Sequence, residues 1–576
     1  MKPLAALAAA LFLSACASAP PPEPRQAVDV VIRNGTIYDG SGAAPFVGDV
    51  AIRDDRIVYV GPRTLGRGRI EIDASGKAVA PGFINMLSWA NETLIADGRG
   101  LSDLAQGVTL EVMGEGSSMG PLNPKMRADA VQRQGDIKYD IAWTTLDEYL
   151  THLERRGIAP NVASFIGAET ARVHVLGEGD VDPTPAQLAQ MQGLVRVAME
   201  DGAMGVGSSL IYAPGAYAET DELVALASEA GRCGGMYISH MRYESDRLLE
   251  AVDELIEISR RSGAPAQIYH LKAAGKANWP KLEQAIGKVE AARARGQRIT
   301  ADMYTYTAGA TGLDAAMPPW VQAGGPEAWF ARLKDPATRA RVIAEMRDPK
   351  APYENLYRHA GAEGTLLTGF KTEALKPLTG KTLAAVARER GVSPEDAAID
   401  LVIADQSRIN VVYFLMSEEN VRRQTALPWM AFDSDAGAPA PEGVFLKSST
   451  HPRAYGNFAR LLGKYVREEK ALTLPEAVRR LTSFPAANLG LRDRGSLREG
   501  MFADVVVFDP ATIRDNATYE KPHQLATGVS HVLVNGRLAL RDGLPTGAST
   551  GRVVRGQGWR GWPDGGCRAS VAAWKR

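Results

Sequence analysis

Two runs, Met236-Tyr237-Ile238-Ser239-His240-Met241-Arg242 and Ala266-Gln267-Ile268-Tyr269-His270-Leu271-Lys272, share one build. Each is a short apolar stretch of strand type that closes on a histidine, with a basic residue two places later. Between them, Tyr243 to Gly263 carries apolar residues at helical spacing, with acids early and Arg260-Arg261 late, as the helix dipole favours. The pattern predicts a βαβ unit. Parallel strands joined by a helix put both strand C-termini on one face, where α/β barrels collect their chemistry. Two imidazoles are therefore expected within reach of one ion.

Working outward, candidate strands fall at Val79 to Leu87, Val108 to Gly114, Val162 to Gly167, Met204 to Tyr212, the two histidine runs, Ile299 to Tyr306 and Trp429 to Asp435. Helical stretches such as Pro183 to Gly202, Glu219 to Gly231 and Trp279 to Gly296 separate several of them. Strand and helix in alternation predict an α/β fold, a (β/α)8 TIM-like barrel. The interval from Pro318 to Leu427 is too long for a loop and has helical stretches of its own, one opening on Ser393-Pro394-Glu395 as cap, first turn and acid. It reads as an inserted helical lid. Val28 to Ala80 and the stretch after Gly495 are short alternating strands punctuated by turns, neither long enough to bury a face alone, so both chain termini are expected to build one small β-sandwich domain.

The expected division is a signal peptide over 1–15, a lipidated tether over 16–27, β-sandwich parts over 28–80 and 486–560, a barrel over 81–485 with its lid at 318–427, and a tail over 561–576. The leader argument rests on Met1-Lys2, a following apolar run too short to span a bilayer, and Leu13-Ser14-Ala15-Cys16. That last run resembles a bacterial lipobox, which implies diacylglyceryl attachment at Cys16, a membrane contact in the periplasm. Ala17 and Ser18 resemble outer-membrane sorting. With 66 basic and 67 acidic side chains and no basic stripe, no nucleic-acid partner is expected. Only Cys233 and Cys567 remain beyond the leader, so no disulfide framework is expected.

Further residues carry a resemblance. Val79-Ala80-Pro81-Gly82-Phe83-Ile84, Gln106-Gly107-Val108-Thr109, Leu210 to Tyr217, Ser239-His240-Met241-Arg242, His270 to Gly275, Tyr304 to Gly309, Ser434-Asp435 and His451 to Gly456 occur in the order seen in the amidohydrolase superfamily, within it the N-acyl-D-amino-acid deacylases (D-aminoacylases). The chain resembles that family from Val28 to about Val553. The resemblance implies one Zn2+ ion at the barrel mouth, with His240 and His270 as imidazole ligands. The family's Gly-Asn-Cys-Gly run is here Gly114-Glu115-Gly116, one residue shorter, so Glu115 is the expected third ligand, a carboxylate in place of a thiolate. Leu87 and Trp89 occupy the family's His-x-His positions, so a second ion is not expected.

Asp435 matches the catalytic aspartate, with Asp433 a rival on the same face. The implied chemistry is amide hydrolysis by a water whose pKa zinc lowers from 15.7 to about 7, Asp435 taking and returning the proton. Lys272, Tyr304 and Arg453 match a clamp for the α-carboxylate of an N-acyl-D-amino acid or D-residue-containing dipeptide, and Tyr212 would line the pocket. Where the family has a serine this chain has Ala310. His451 is expected to position Arg453, and His152, His174, His359, His523 and His531 to be surface or packing residues. Two other readings stay open: hydrolysis of cyclic amides or other peptides on the same scaffold, although no strand carries an evident carbamylated lysine, and a periplasmic lipoprotein that binds without catalysis, which the loss of the histidine pair favours.

Overall fold

Parallel strands Phe83–Asn85, Val108–Met113 and Asn161–Ser164 form one sheet, and Ile166–Gly167, Gly205–Ser209, Met236–His240, Ala266–Ile268 and Ile299–Ala301 form another, in sequence order. This is the computed structural model of residues 28–64 and 66–567. The signal peptide, Cys16 and the tether lie outside the described residues, as do 568–576 of the tail. Backbone bonds from Phe165 N to Met113 O (2.8 Å) and from Met204 N to Ser164 O (2.9 Å) join the two sheets. The segment around Met430 to Ala436 closes the cylinder: Ala431 N donates to Ala301 O at 2.8 Å, and Asp435 N to Leu87 O at 3.0 Å. The barrel expected from the strand and helix alternation is present.

The helix between the two histidine strands, Leu248–Ser262, buries Leu248, Ala251, Val252, Leu255 and Ile258, one face at helical spacing, and ends on Gly263 in the left-handed region. Because its two flanking strands pair in parallel with Ser239 opposite Ile268, His240 and His270 leave the sheet at the same level. The barrel interior is filled by Ile84, Leu87, Leu110, Val112, Phe165 and Ile238 among others, so it is a packed core with the chemistry confined to its mouth.

The chain termini meet in one nine-stranded sheet, where Val505–Phe508 pairs antiparallel with Ala78–Pro81. Its inner face buries Val30, Ile32, Val50, Val505, Val507 and Leu533. The inserted region is not wholly helical. Within it Asn410–Phe414 and Thr365–Gly369 form an antiparallel sheet with Ala308–Gly312, which precedes the insert, and a separate core includes Trp329, Phe330 and Leu401. Ala308–Gly312 (AGATG) is poor in strand-forming residues and is held as a strand by Asn410–Phe414 (NVVYF).

No framework is present among the described residues, but the two remaining cysteines do pair: Cys233 and Cys567 form a disulfide, with Cα atoms 4.3 Å apart and a sequence separation of 334. The chain beyond the second half of the sheet returns across the bottom of the barrel. Gly556 N donates to Gly202 O at 2.8 Å and Arg560 N to Glu200 O at 3.0 Å, which carries Cys567 to the end of helix Thr220–Arg232. Two cysteines too few for a framework are enough for a single tail clamp.

Candidate metal centre

Glu115 lies between two glycines with positive φ, Gly114 at +106° and Gly116 at +64°. A Cβ on Gly114 would come within 2.3 Å of Phe165 O, and one on Gly116 within 2.5 Å of Ser209 Cβ. The turn is thus open only to glycine, and it delivers Glu115, 4 % exposed, to the barrel mouth. His270 and Asp435 also have left-handed backbones, φ +33° and +44°, at the points where their strands end. Strain of this kind in non-glycine residues collects where side chains must be re-aimed.

These turns bring the predicted ligands together. Glu115 Oε1 lies 3.0 Å from His240 Nδ1 and 3.2 Å from His270 Nε2. One donor atom from each of the three residues falls within 4.8 Å of the others, and all three side chains are buried. Burial pushes Glu115 up, but the hydrogen bonds with His240 and His270 outweigh it and hold the carboxyl below its usual range. For His270, burial and Lys272 act downward and are outweighed by Glu115 and Glu244, leaving it raised to about 10. Two imidazole nitrogens and a carboxylate oxygen converging in a buried site are the donor types zinc takes when one position stays open for water or substrate.

Glu244 completes the arrangement and was missed by the motif argument. Its Oε1 is 3.1 Å from His270 Nδ1 and its Oε2 is 3.7 Å from His240 Nε2, so one carboxylate faces the outward nitrogens of both rings. A carboxylate behind ligating histidines fixes ring orientation and raises basicity. Glu244 is four residues past His240 and just ahead of a helix, where an acid reads as ordinary dipole compensation.

Asp435 sits beside this cluster. Trp89 Nε1 lies 3.1 Å from Asp435 Oδ1 and 3.1 Å from Glu115 Oε2. Burial raises the Asp435 carboxyl, against the opposing charges of Arg453 and His270. The rival Asp433 points instead into the barrel, fully buried, and burial together with Asp302 pushes it well above the carboxylate range. The left-handed turn at Asp435 separates two residues that a straight strand would have kept on one face.

The clamp residues line the same cavity, of about 480 Å3. Arg453 is 3 % exposed; its Nη2 donates to Ala310 O at 3.2 Å, its Nη1 is 2.9 Å from Asp435 Oδ2 as an ion pair, and its Nε and Nη1 donate no hydrogen bond. The guanidinium stacks over Tyr304 at 4.4 Å. His451 accepts from Arg453 N at 2.9 Å through Nδ1, and its Nε2 donates to Ala308 O at 2.9 Å, so it carries the backbone of Arg453. Lys272 reaches the cavity but is engaged: its Nζ lies 2.6 Å from Glu244 Oε1 and 2.7 Å from His270 Nδ1. Tyr212 packs edge-on against His240 at 5.2 Å, and its hydroxyl accepts from Thr311 Oγ1 at 2.7 Å. An adjoining cavity of about 620 Å3 shares Tyr212, Pro214 and Arg408 with the first and contains none of the ligands.

Comparison with known proteins bears on the family. Residues 71–539 match the amidohydrolase family. The chain is 32 % identical over 533 residues to the D-aminoacylase of Alcaligenes xylosoxydans xylosoxydans, covering 92 % of this chain and 98 % of that one. It superimposes with a TM-score of 0.74 and 30 % identity, over 92 % of its length and 100 % of the other's, on the N-acyl-D-glutamate deacylase of Bordetella bronchiseptica, solved with zinc and a phosphonate mimic of the tetrahedral intermediate. A D-aminoacylase studied for one-metal activation and second-metal attenuation of a binuclear centre gives a TM-score of 0.76 at 30 % identity over the same shares. A barrel whose mouth gathers two histidines, a carboxylate and an aspartate, in a sequence alike along nearly its whole length, places the chain in the amidohydrolase family, in its D-aminoacylase branch.

Proposed function

We propose that this enzyme hydrolyses a linear amide bond with one zinc ion, its substrates being N-acyl-D-amino acids or dipeptides containing a D-residue. The observation that carries the proposal is the convergence of Glu115, His240 and His270 beside Asp435, in a cavity where a buried arginine keeps two nitrogens without hydrogen-bond partners. Those three side chains would hold the ion. Zinc there would supply acidity to a bound water, bringing its pKa toward about 7, and polarise the acyl carbonyl.

The chain's own residues do the rest. Asp435, aimed at the cavity by its turn, accepts the proton of the attacking water and returns it to the departing amine. Arg453 offers Nε, which has no hydrogen-bond partner, and Nη1, which lies against Asp435, to the substrate α-carboxylate, with Tyr304 backing the guanidinium, and a charge-assisted pair of that kind fixes orientation as well as charge. Lys272 adds positive potential at the same wall. Tyr212 packs edge-on against His240 and lines the cavity beside it. The adjoining cavity leaves room for an acyl group larger than acetyl.

The test is a stereochemically paired screen: zinc-loaded protein against D- and L-enantiomers of N-acyl amino acids, D-residue dipeptides and cyclic ureides. Turnover of D-amides alone is the expected result. Turnover confined to ureides or L-amides would end the proposal.

We also infer that the mature chain is exported and anchored in the periplasm through Cys16, on the outer membrane. Support comes from the leader pattern and from the Cys233–Cys567 pairing, since disulfides persist in oxidising compartments. Cys16→Ser should move the protein from the membrane to the soluble fraction; retention in the membrane would remove the lipid anchor from the account.

A further inference from the structure

Trp89 occupies a place at the metal centre that neither the ligands nor the clamp explain. Its indole nitrogen is 3.1 Å from Glu115 Oε2 and 3.1 Å from Asp435 Oδ1, so one N–H is shared between two carboxylates. Glu115 is thereby divided, with Oε1 turned to the two histidines and Oε2 to the indole. The main chain beneath the ring is anchored: Trp89 N donates to Ala436 O at 2.9 Å, and Asp435 N donates to Leu87 O at 3.0 Å, so both residues belong to the ladder that closes the barrel, while the tryptophan itself is 40 % exposed.

Two neighbouring carboxylates repel each other, and a cation or a hydrogen-bond donor between them favours the ionised forms of both. Here that position is filled by an N–H donor which has no lone pair to offer a metal. Leu87, two residues earlier, is fully buried in apolar surroundings and offers none either. A related D-aminoacylase has a binuclear centre in which a second metal attenuates activity.

We propose that the Trp89 indole takes the place of a second cation: its N–H bridges Glu115 and Asp435, restricts the centre to one ion and holds Asp435 toward the substrate. Trp89 is then a positioning residue, acting through the two carboxylates it bridges. The proposal rests on the metal site described above and is independent of which amide is cleaved.

The experiment is a zinc titration of the full-length protein, followed by native mass spectrometry and calorimetry without substrate, on wild type, Trp89→His and Trp89→Phe. Wild type should take one zinc per chain and no second up to millimolar zinc. Trp89→His puts an imidazole nitrogen between the carboxylates and should bind a second equivalent, with turnover falling as zinc is raised. Trp89→Phe keeps an aromatic ring without its donor; it should retain one zinc and lose about tenfold in kcat, with KM changed less than twofold. A second zinc in wild type, or unchanged kcat in Trp89→Phe, overturns the proposal. Should Trp89→Phe fail to fold, the wild-type and Trp89→His stoichiometries decide. One zinc bound by wild type without turnover of any amide would reject the substrate assignment and leave this inference standing.

Discussion

Glu244 Oε1 lies 2.6 Å from Lys272 Nζ and 3.1 Å from His270 Nδ1, so a single buried oxygen ties the cationic wall of the cavity to a metal-binding imidazole. Burial pushes Glu244 up, but the charges of Lys272 and His240 hold it below the usual carboxylate range. It is therefore an anion set behind both rings, 3.1 Å from His270 Nδ1 and 3.7 Å from His240 Nε2.

Glu244→Gln preserves shape and removes that charge. Losing such a partner typically costs 10- to 100-fold in metal affinity. Competition against a chelating dye should show zinc held about that much more weakly, with His240 and His270 intact. Unchanged retention would mean that Glu244 serves Lys272 alone.

Arg453→Lys tests the clamp. Lysine keeps the positive charge but not the planar fork that matches a carboxylate, and it cannot keep the same stacking on Tyr304. A lost charge-assisted hydrogen bond of about 1.5–3 kcal/mol corresponds to a KM roughly 10- to 100-fold higher, with kcat less affected. Steady-state kinetics on an N-acyl-D-amino acid and on the matching amide lacking the α-carboxylate would separate the effects. If both substrates suffer equally, Arg453 acts on Asp435 rather than on the carboxylate.

The disulfide makes a prediction about stability alone. It closes a very long loop and ties the tail to the barrel bottom, far in the fold from Glu115. Cys567→Ser should lower unfolding free energy by about 2–4 kcal/mol. Urea midpoints under oxidising conditions would show it, with zinc stoichiometry unchanged. Equal midpoints for wild type and variant would leave the tail clamp without thermodynamic weight.

What could be read from the sequence follows the range of each interaction. His240 and His270 were legible because one strand, helix, strand unit fixes their relative level, and the helical periodicity of Leu248 to Ser262 is local. The barrel was legible for the same reason. Trp89 showed only as a missing histidine, since its partners lie 26 and 346 residues away and only closure of the cylinder brings them to one nitrogen. The pairing of Cys233 with Cys567 depends on the path of the tail, for which no local pattern codes. The sheet under the inserted helices was hidden because its first strand, ahead of the insert, is glycine- and alanine-rich and takes its conformation from a neighbour about a hundred residues on. Asp433 and Asp435 were inseparable until the left-handed backbone at Asp435 turned one outward.

Glu354 gives a pH-dependent prediction. It is buried, accepts from Glu244 N at 2.9 Å and from Ser245 N at 3.3 Å, and also bonds the Ser245 hydroxyl. Burial raises its carboxyl from 4.5 to about 7, against those hydrogen bonds. Between these two pH values the folded chain holds a proton that the unfolded chain has released. The contribution of Glu354 to stability is thus fully present below about 4.5, is lost as pH rises through 7, and is flat above that. Glu354→Gln removes this dependence while keeping a side chain of the same size. Relative to wild type, the variant should gain up to about 3 kcal/mol between pH 5 and pH 8, the amount set by a shift of that size. Urea unfolding at the two pH values measures it, and a constant difference between variant and wild type would show that Glu354 stays ionised in the folded protein.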